Sequence, residues 1–461
     1  MSEATHTPAD AENDFSLSPE LVAEVVAAIA REDIATTRSL VYPLPAPDQA
    51  ELFDQLSHED RRWLAEAIAA DFDSGTLAEL SPEAAEDVLV ALGTEKSAEF
   101  IAELETDDAV HILEDLAPFE QLQLLEGMPL ETREELEESL TYEPESAGRL
   151  MRKALVAVPE FWNVGDTIDF LRASGSLPEF FYVIYTVNAG FVPTGRVMLG
   201  SILAHKRDVP LEQIRQTNLY AVSADTDQEE VAYLFRKYAL VEAPVIDAEG
   251  VLVGTITVDD VVDVMVEEDE EDYLRAGGLK GQDFQSDIWE TVRARFGWLF
   301  INLLTAVLAS VVIGFFETTI EQVVALALMM PMIASMGGNS GTQTVTVAVR
   351  AIATKQLTDA NSRAYIFKET VIGLANGAAL GFIMAVGVYV LFSSAKLAIV
   401  MMLAATGTMT MAGLWGALIP IFLHRRGFDP AISSTIFLTT VTDCIGFFSF
   451  LGLATLILFH I

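Results

Sequence analysis

The chain has 461 residues, is 51% hydrophobic and carries a formal charge of -41, properties that coexist only if they are segregated along the sequence. Residues 286–461 hold 8 acidic and 9 basic side chains, which leaves 60 acids against 18 bases in residues 1–285. That imbalance argues against a nucleic-acid partner and for cations, with a salt-adapted surface as the plain alternative for part of the acidity; the single cysteine, Cys444, excludes an internal disulfide framework.

Residues 1–17, beginning MSEATHTPADAENDF, are polar and acidic and lack the basic and apolar regions of a cleaved signal. They are expected to be a disordered tail, with the acidic half in the cytoplasm. Residues 18–140 repeat a helical theme in which Leu and Ala recur at spacings of three and four, and Ser-Pro, Asp or Gly-Met-Pro punctuate the turns. The expectation is an all-α superhelical N domain of stacked helix pairs.

Residues 141–266 change to short β-branched runs with intervening helices, and the later piece is the clearer. A helix over Gln228–Tyr238 leads to a strand from Ala243 to Asp247, a tight turn, a strand from Val251 to Thr257 and a helix opened by Asp259 or Asp260. This resembles a cystathionine-β-synthase-type (CBS) module, which comes as a tandem α/β pair. The first copy is divergent, because GFVPTGRVMLGSILAHK stands where a turn, a strand and a helix belong. In the second, Gly254 to Asp260 resembles the CBS nucleotide-binding turn, with Thr257 and Asp260 as candidate contacts to the ribose of ATP.

Residues 267–292, with the acidic run VEEDEEDYLRA nearby, are expected to form a connecting helix. Residues 293–461 then contain five low-charge stretches long enough to span a bilayer, starting with FGWLFINLLTAVLASVVIGFF. Alternate flanks hold Arg293 and Arg295, then Arg350, Lys355, Arg363 and Lys368, then Arg425 and Arg426; the opposite set holds only Lys396. By the positive-inside rule the soluble half is cytoplasmic and the C-terminus lies outside the inner membrane.

The second span contains PMIASMGGNSGTQT, starting at Pro331. Polar groups and broken backbone survive at membrane depth only where protein or a water-filled path surrounds them. Pro331, Gly337, Gly338 and Gly341 are therefore candidate pore-lining positions, with a glycine packing face as the alternative, and Asn339 and Gln343 are candidate polar ligands. Gly338-Asn339-Ser340-Gly341 also fits the pattern around a rhomboid-type serine nucleophile, but the membrane half offers only His424, in a basic loop, and His460, the penultimate residue, as bases. An aspartyl intramembrane protease needs two facing carboxylates, and the spans offer Asp443 alone, so no enzymatic role is expected.

Asp443 falls inside TTVTDCIGFFSFLGLATL, where an aspartate costs roughly 2.5–3.5 kcal/mol and marks a functional site by default. With Asn339, Gln343 and Thr440 it makes an oxygen-only set suited to a hard cation such as Mg²⁺. If two chains pack symmetrically, two Asp443 side chains flank one path. Glu317 and Glu321, four apart on the expected outer loop, are candidates for gathering cations at an outer entrance.

PMIASMGGNSGTQ from Pro331, TTVTD ending at Asp443, YEPESAGRLM from Tyr142 to Met151 and DTDQEEVAYLF from Asp225 together resemble the MgtE-type magnesium channels. The resemblance spans essentially the whole chain in order. It implies a homodimer in membrane lipid, with Asp443 as the selectivity carboxylate for hydrated Mg²⁺ and other divalent cations as further ligands. It also implies closure by cytoplasmic Mg²⁺ that bridges Asp107, Asp108, Asp259, Asp260, Asp263, Glu268, Glu271 and Asp272. Mass action agrees, because divalent ions that bind only the compact form of an acidic body favour that form. The alternatives are a transporter coupled to H⁺ or Na⁺, and a membrane-anchored nucleotide sensor without transport.

Overall fold

A computed structural model describes residues 17–175, 177–178, 180–279, 288–428 and 430–459. The expected acidic tail lies, except for Leu17, outside the described residues. The chain divides into two units, Met1–Met265 and Val266–Ile461.

The first unit opens with ten helices: α1 (Pro19–Ile29), α2 (Ile34–Val41), α3 (Ala46–Gln55), α4 (His58–Ile68), α5 (Ser74–Ala78), α6 (Pro82–Leu92), α7 (Thr94–Ala102), α8 (Thr106–Glu114), α9 (Pro118–Gly127) and α10 (Leu130–Ser139). The Ser-Pro pairs work as starts: Ser18 and Ser81 accept the N–H groups of Leu21 and Ala84, and Pro19 and Pro82 occupy first-turn positions that need no donor. After α9 the chain turns extended at Met128, and Pro129 caps α10. Leu52, Phe53, Leu64, Leu77, Val88, Ile101 and Leu113 are fully enclosed in one core. Among them lies a charge network in which Asp87 accepts from Arg61 at 3.4 Å and Arg62 at 2.8 Å and meets His58 Nδ1 at 2.6 Å.

A short helix α11 (Ala147–Leu150) leads into two three-stranded sheets of one design. The first copy runs β1 (Ala157–Pro159), α12 (Val164–Ala173), β2 (Val183–Val187), β3 (Pro193–Met198) and α13 (Leu199–Ala204), followed by α14 (Leu211–Ile214). The second runs β4 (Val222–Ser223), α15 (Gln228–Tyr238), β5 (Glu242–Ile246), β6 (Leu252–Thr257) and α16 (Val258–Ala276). In each, the first strand pairs parallel with the second and the second antiparallel with the third, and the register slips by one residue at the same place. Asn188 and Asp247 occupy equivalent turns, each accepting backbone N–H groups at 2.8–3.1 Å. The divergent GFVPTGRVMLGSILAHK stretch therefore does form a turn, a strand and a helix.

The acidic run after residue 266 continues α16 to Ala276, where Gly277 and Gly278, the latter at φ +75°, end it. Of the connecting helix expected over 267–292, residues 267–276 belong to α16, residues 280–287 lie outside the described residues, and a new helix begins at Ile288.

The second unit contains α17 (Ile288–Gly314), α18 (Glu317–Gln322), α19 (Ala325–Ala353), α20 (Ser362–Phe392), α21 (Ala395–Arg425) and α22 (Pro430–Phe459). Among the described residues, four helices are long and apolar enough to cross a bilayer: α17, α20, α21 and α22. The fifth expected span, α19, has 29 residues, about 43 Å of helix, but its centre is polar. Gly373, Gly377 and Gly381 line the buried face of α20 so that it lies directly on the α21 backbone. Arg425 donates to Asp359 at 2.7 Å and to Ser362 at 3.1 Å, so the α19–α20 loop and the end of α21 share one end of the bundle. Thr319 of α18 pairs with Thr455 near the end of α22 at 3.0 Å.

Candidate cation sites

The candidate oxygen ligands fall in two regions, one in each unit. In the first unit the junction read as YEPESAGRLM is what brings the acids together. Ala147 and Gly148 donate to Thr226 and Ala224, and Arg152 exchanges backbone hydrogen bonds with Thr255 at 2.8 and 2.9 Å, adding an edge to the second sheet. Gly148 lies under the Tyr142 ring and Gly254 under the Met151 sulfur, each too close for any side chain.

This docking sets the Arg152 guanidinium between the N domain and the start of α16. Its Nε donates to Asp107 at 2.9 Å, Nη1 pairs with Glu105, and Nη2 pairs with Asp259 at 3.1 Å and with Asp260. Ligand oxygens of Glu105, Asp107 and Asp108 lie within 4.8 Å of one another. Asp107 is 7% exposed, and its Oδ1 is buried with no hydrogen-bond partner. An all-carboxylate set holding an orphaned buried oxygen fits a hard divalent cation.

The proton affinities show the strain of that crowding. Burial, then the charges of Asp260 and Asp108, push the Asp107 carboxyl well above its usual 3.8, despite Arg152. Burial raises Asp108 to about 6. Asp263 rises through burial and the charges of Asp260 and Asp259, and Glu79 through burial and Asp263. At Asp259 burial is outweighed by Thr257 and Arg152, and the carboxyl is held low. Burial disfavours the Arg152 charge, but Asp107 and Asp260 overcome it and keep the guanidinium protonated.

Five of the eight expected gating residues, Asp107, Asp108, Asp259, Asp260 and Asp263, thus fall in or beside one cluster. Glu268, Glu271 and Asp272 lie in the second unit on the tail of α16, where Glu271 pairs with Arg275 one turn on. Thr257 and Asp260, the candidate nucleotide contacts, bind each other, with the Thr257 hydroxyl donating to Asp260 at 2.6 Å. The other Asp260 oxygen is taken by Arg152. Sequence reasoning missed Glu105 and Arg152; the basic GRLMRK at the end of the junction was the available signal.

In the membrane half, α19 has two faces. Gly337, Gly341, Thr344 and Ala348 are buried: a Cβ on Gly337 would meet Thr408 of α21 at 2.7 Å, and one on Gly341 would meet Leu438 of α22 at 2.8 Å. Gly337 and Gly341, two of the candidate pore-lining positions, thus pack within the chain against α21 and α22. The other face exposes Pro331, Ser335, Asn339, Thr342, Gln343 and Thr346 in one stripe, with Gly338 beside it in open space. Asn339 donates to Ser335 at 3.5 Å. On α22, Thr442 packs beside Gly337, which places the half-buried Asp443 one residue from the crossing. Thr440 spends its hydroxyl on the Ile436 carbonyl at 2.8 Å. Glu317 and Glu321 are exposed together on the short helix α18, where a loop was expected.

A second membrane carboxylate escaped the sequence reading. Glu369, counted with the charged flank before residue 370, is 9% exposed inside the bundle and accepts from Thr344 at 3.3 Å.

Comparison with known proteins matches three family models in this order: the MgtE intracellular N domain over residues 44–145, the CBS domain over 211–267, and the divalent cation transporter MgtE over 330–453. The magnesium transporter MgtE of Thermus thermophilus is 35% identical over 335 residues, covering 71% of this chain and 73% of that protein. The chain belongs to the MgtE magnesium transporter family. The Bacillus subtilis MgtE is 28% identical over 437 residues, 95% of this chain and 97% of that protein. Among solved structures, the cytosolic domain of the Mg²⁺ channel MgtE in complex with ATP covers 53% of this chain and 99% of its own, at 30% identity and a TM-score of 0.48. Family membership and the four long apolar helices make this a membrane protein of a magnesium transporter family.

Proposed function

We propose that the chain forms a homodimeric channel that admits Mg²⁺ across the inner membrane into the cytoplasm and is closed by cytoplasmic Mg²⁺. The observation that carries this reading is the stripe Ser335, Asn339, Thr342, Gln343 and Thr346, exposed along a helix beside Asp443. Lipid cannot solvate such a face, which supports a second copy and a water-filled path as its cover. In this reading Asp443 holds the ion through its hydration shell, because Mg²⁺ releases water reluctantly. Asn339, Gln343 and the backbone near Gly338 and Thr440 line the approach, and Glu317 and Glu321 gather cations outside. The cytoplasmic sensor is the cluster around Asp107, Asp108, Asp259, Asp260 and Asp263, an adenine nucleotide at the Gly254–Asp260 turn tunes it, and Glu268, Glu271 and Asp272 on the tail of α16 are cation ligands in their own right.

The test is Mg²⁺ influx into proteoliposomes, with trapped Mg²⁺ varied and the membrane potential set separately. Wild-type influx should stop as trapped Mg²⁺ rises, and folded Asp443→Asn should be inactive; influx through Asp443→Asn would remove that residue from the path. A proton-coupled transporter is the second reading, favoured by Glu369 buried outside the stripe. It requires influx to reverse with an imposed pH gradient, whereas a channel follows the Mg²⁺ electrochemical gradient alone.

A further inference from the structure

We propose that Arg152 is a resident counter-cation of the sensor: it holds the N domain to the second CBS copy without metal and opposes a divalent cation on the same carboxylates. The inference deepens the Mg²⁺-gating reading and rests on it for its second half.

Arg152 is built into the cluster rather than resting on it. Its backbone is fixed by the paired bonds with Thr255, and its side chain is 11% exposed. All three guanidinium nitrogens engage acids: Glu105 and Asp107 from the N domain, Asp259 and Asp260 from α16. Two neighbours repeat the tie, since Arg149 donates to Glu114 at 2.9 Å and Lys153 to Glu138 at 2.9 Å. One short basic segment therefore fastens α8 and α10 to the CBS pair.

A guanidinium cannot surrender its proton and has no acceptor, so it satisfies carboxylates but never ligates a metal. It is also a single charge among Glu105, Asp107, Asp108, Asp259 and Asp260, and it leaves Asp107 Oδ1 buried and unpartnered. A divalent ion drawn to that oxygen and to Asp108 must sit beside a fixed positive charge. Arg152 thus acts in two opposite directions. It pulls the domains together when Mg²⁺ is scarce, and it raises the Mg²⁺ concentration needed to complete the closure. A sensor with this device stays partly closed at low Mg²⁺ and responds over a higher range than its acids alone would set.

The experiment is hydrogen exchange by mass spectrometry on the full chain in detergent, in chelator and across a Mg²⁺ series, comparing wild type, Arg152→Gln and Arg152→Lys. The readouts are the amides of residues 106–114 and the Mg²⁺ midpoint for their protection. In chelator, Arg152→Gln should exchange faster than wild type across these amides. Its midpoint should fall at least about tenfold, the factor given by removing 1.4 kcal/mol of repulsion. Arg152→Lys keeps the charge but loses the fork, so its chelator-state protection should drop while its midpoint stays near wild type. An Arg152→Gln midpoint that is unchanged or higher overturns the proposal, as does an equal fall in Arg152→Lys. If Arg152→Gln folds only with Mg²⁺ present, that is the expected result at its limit; if it never folds, Arg152→Lys decides. A wild type indifferent to Mg²⁺ would sink the gating reading, while the chelator comparison would still judge the tether.

Discussion

Glu242 on β5 accepts the backbone N–H of Val183 on β2 at 3.2 Å, and by this bond the second CBS copy is sewn to the first. The same oxygen accepts from Tyr182 at 3.2 Å, and the other accepts from the Thr255 hydroxyl at 3.0 Å, with Glu242 only 2% exposed. Glu242→Ala leaves the buried Val183 N–H without its acceptor, while the Thr255 hydroxyl keeps the Ala243 carbonyl at 3.1 Å, and should destabilise the pair by about 1–3 kcal/mol; Glu242→Gln, which keeps an acceptor oxygen, should lose less. Calorimetry of the full chain checks this through the transition assigned to the CBS pair by hydrogen exchange. An unchanged transition in Glu242→Ala would mean that the copies associate through apolar packing alone.

Asp87 governs a different dependence. Burial works to raise its carboxyl, but the hydrogen bonds and charges of His58 and Arg62 prevail and hold it below 3.8. A depressed acid contributes stability that is complete above pH 3.8 and is lost as pH falls through the lowered value. The N domain should therefore weaken below pH 3.8, and Asp87→Asn should remove that part of the acid sensitivity. Asp87→Ala leaves Arg61, 1% exposed, without its carboxylate and should cost about 3–5 kcal/mol at pH 7. Acid and urea unfolding monitored through Trp63, which packs against this core, distinguishes the two variants.

Periodic, local features of this chain were legible in its sequence. The Ser-Pro starts, α15 from Gln228 to Tyr238 and the final β-turn-β unit form within a residue or two of where spacing put them, because capping and amphipathicity are short-range. The first CBS copy was obscured because its topology is held by pairing across distant strands, which no local pattern in GFVPTGRVMLGSILAHK records. Arg152 and Glu369 were missed for a related reason. Each is one charge in a charged stretch, and only the long-range docking of α8 on α16, or of α20 on α19, makes it buried and specific. The glycines of α19 could not be told apart in the sequence, since the alternation that separates packed Gly337 and Gly341 from open Gly338 depends on where α21 and α22 lie.

Gly413 tests the close packing of α20 on α21. A Cβ there would stand 2.5 Å from the Glu369 carbonyl, a backbone atom that cannot step aside without moving α20. Gly413→Ala should separate the helices and disturb the Thr344–Glu369 hydrogen bond, giving a less stable protein, by about 1–3 kcal/mol for the overpacking. Gly387, where a Cβ meets nothing within 4 Å, is the control and should tolerate alanine. Thermal stability in detergent checks both; equal behaviour of the two variants would mean that α20 and α21 are not held at backbone distance.

The polar stripe on α19 makes a sharper demand, because its exposure in one chain is acceptable only if protein or water covers it in the assembled membrane protein, and the channel reading requires water. In a Cys444→Ser background, Asn339→Cys and Thr346→Cys should react with a charged, membrane-impermeant thiol reagent, and reaction should block Mg²⁺ influx. Ile383→Cys, on the open apolar face of α20 at 64% exposure, should stay unreactive because lipid surrounds it. Added Mg²⁺ should slow the reaction at Asn339→Cys more than at Thr346→Cys, since Asn339 is the nearer along α19 to Gly337, which packs beside Thr442 and so next to Asp443. Thiols on the stripe that stay as unreactive as Ile383→Cys would place this face against protein or lipid, and the path would then have to be sought on another face of the bundle.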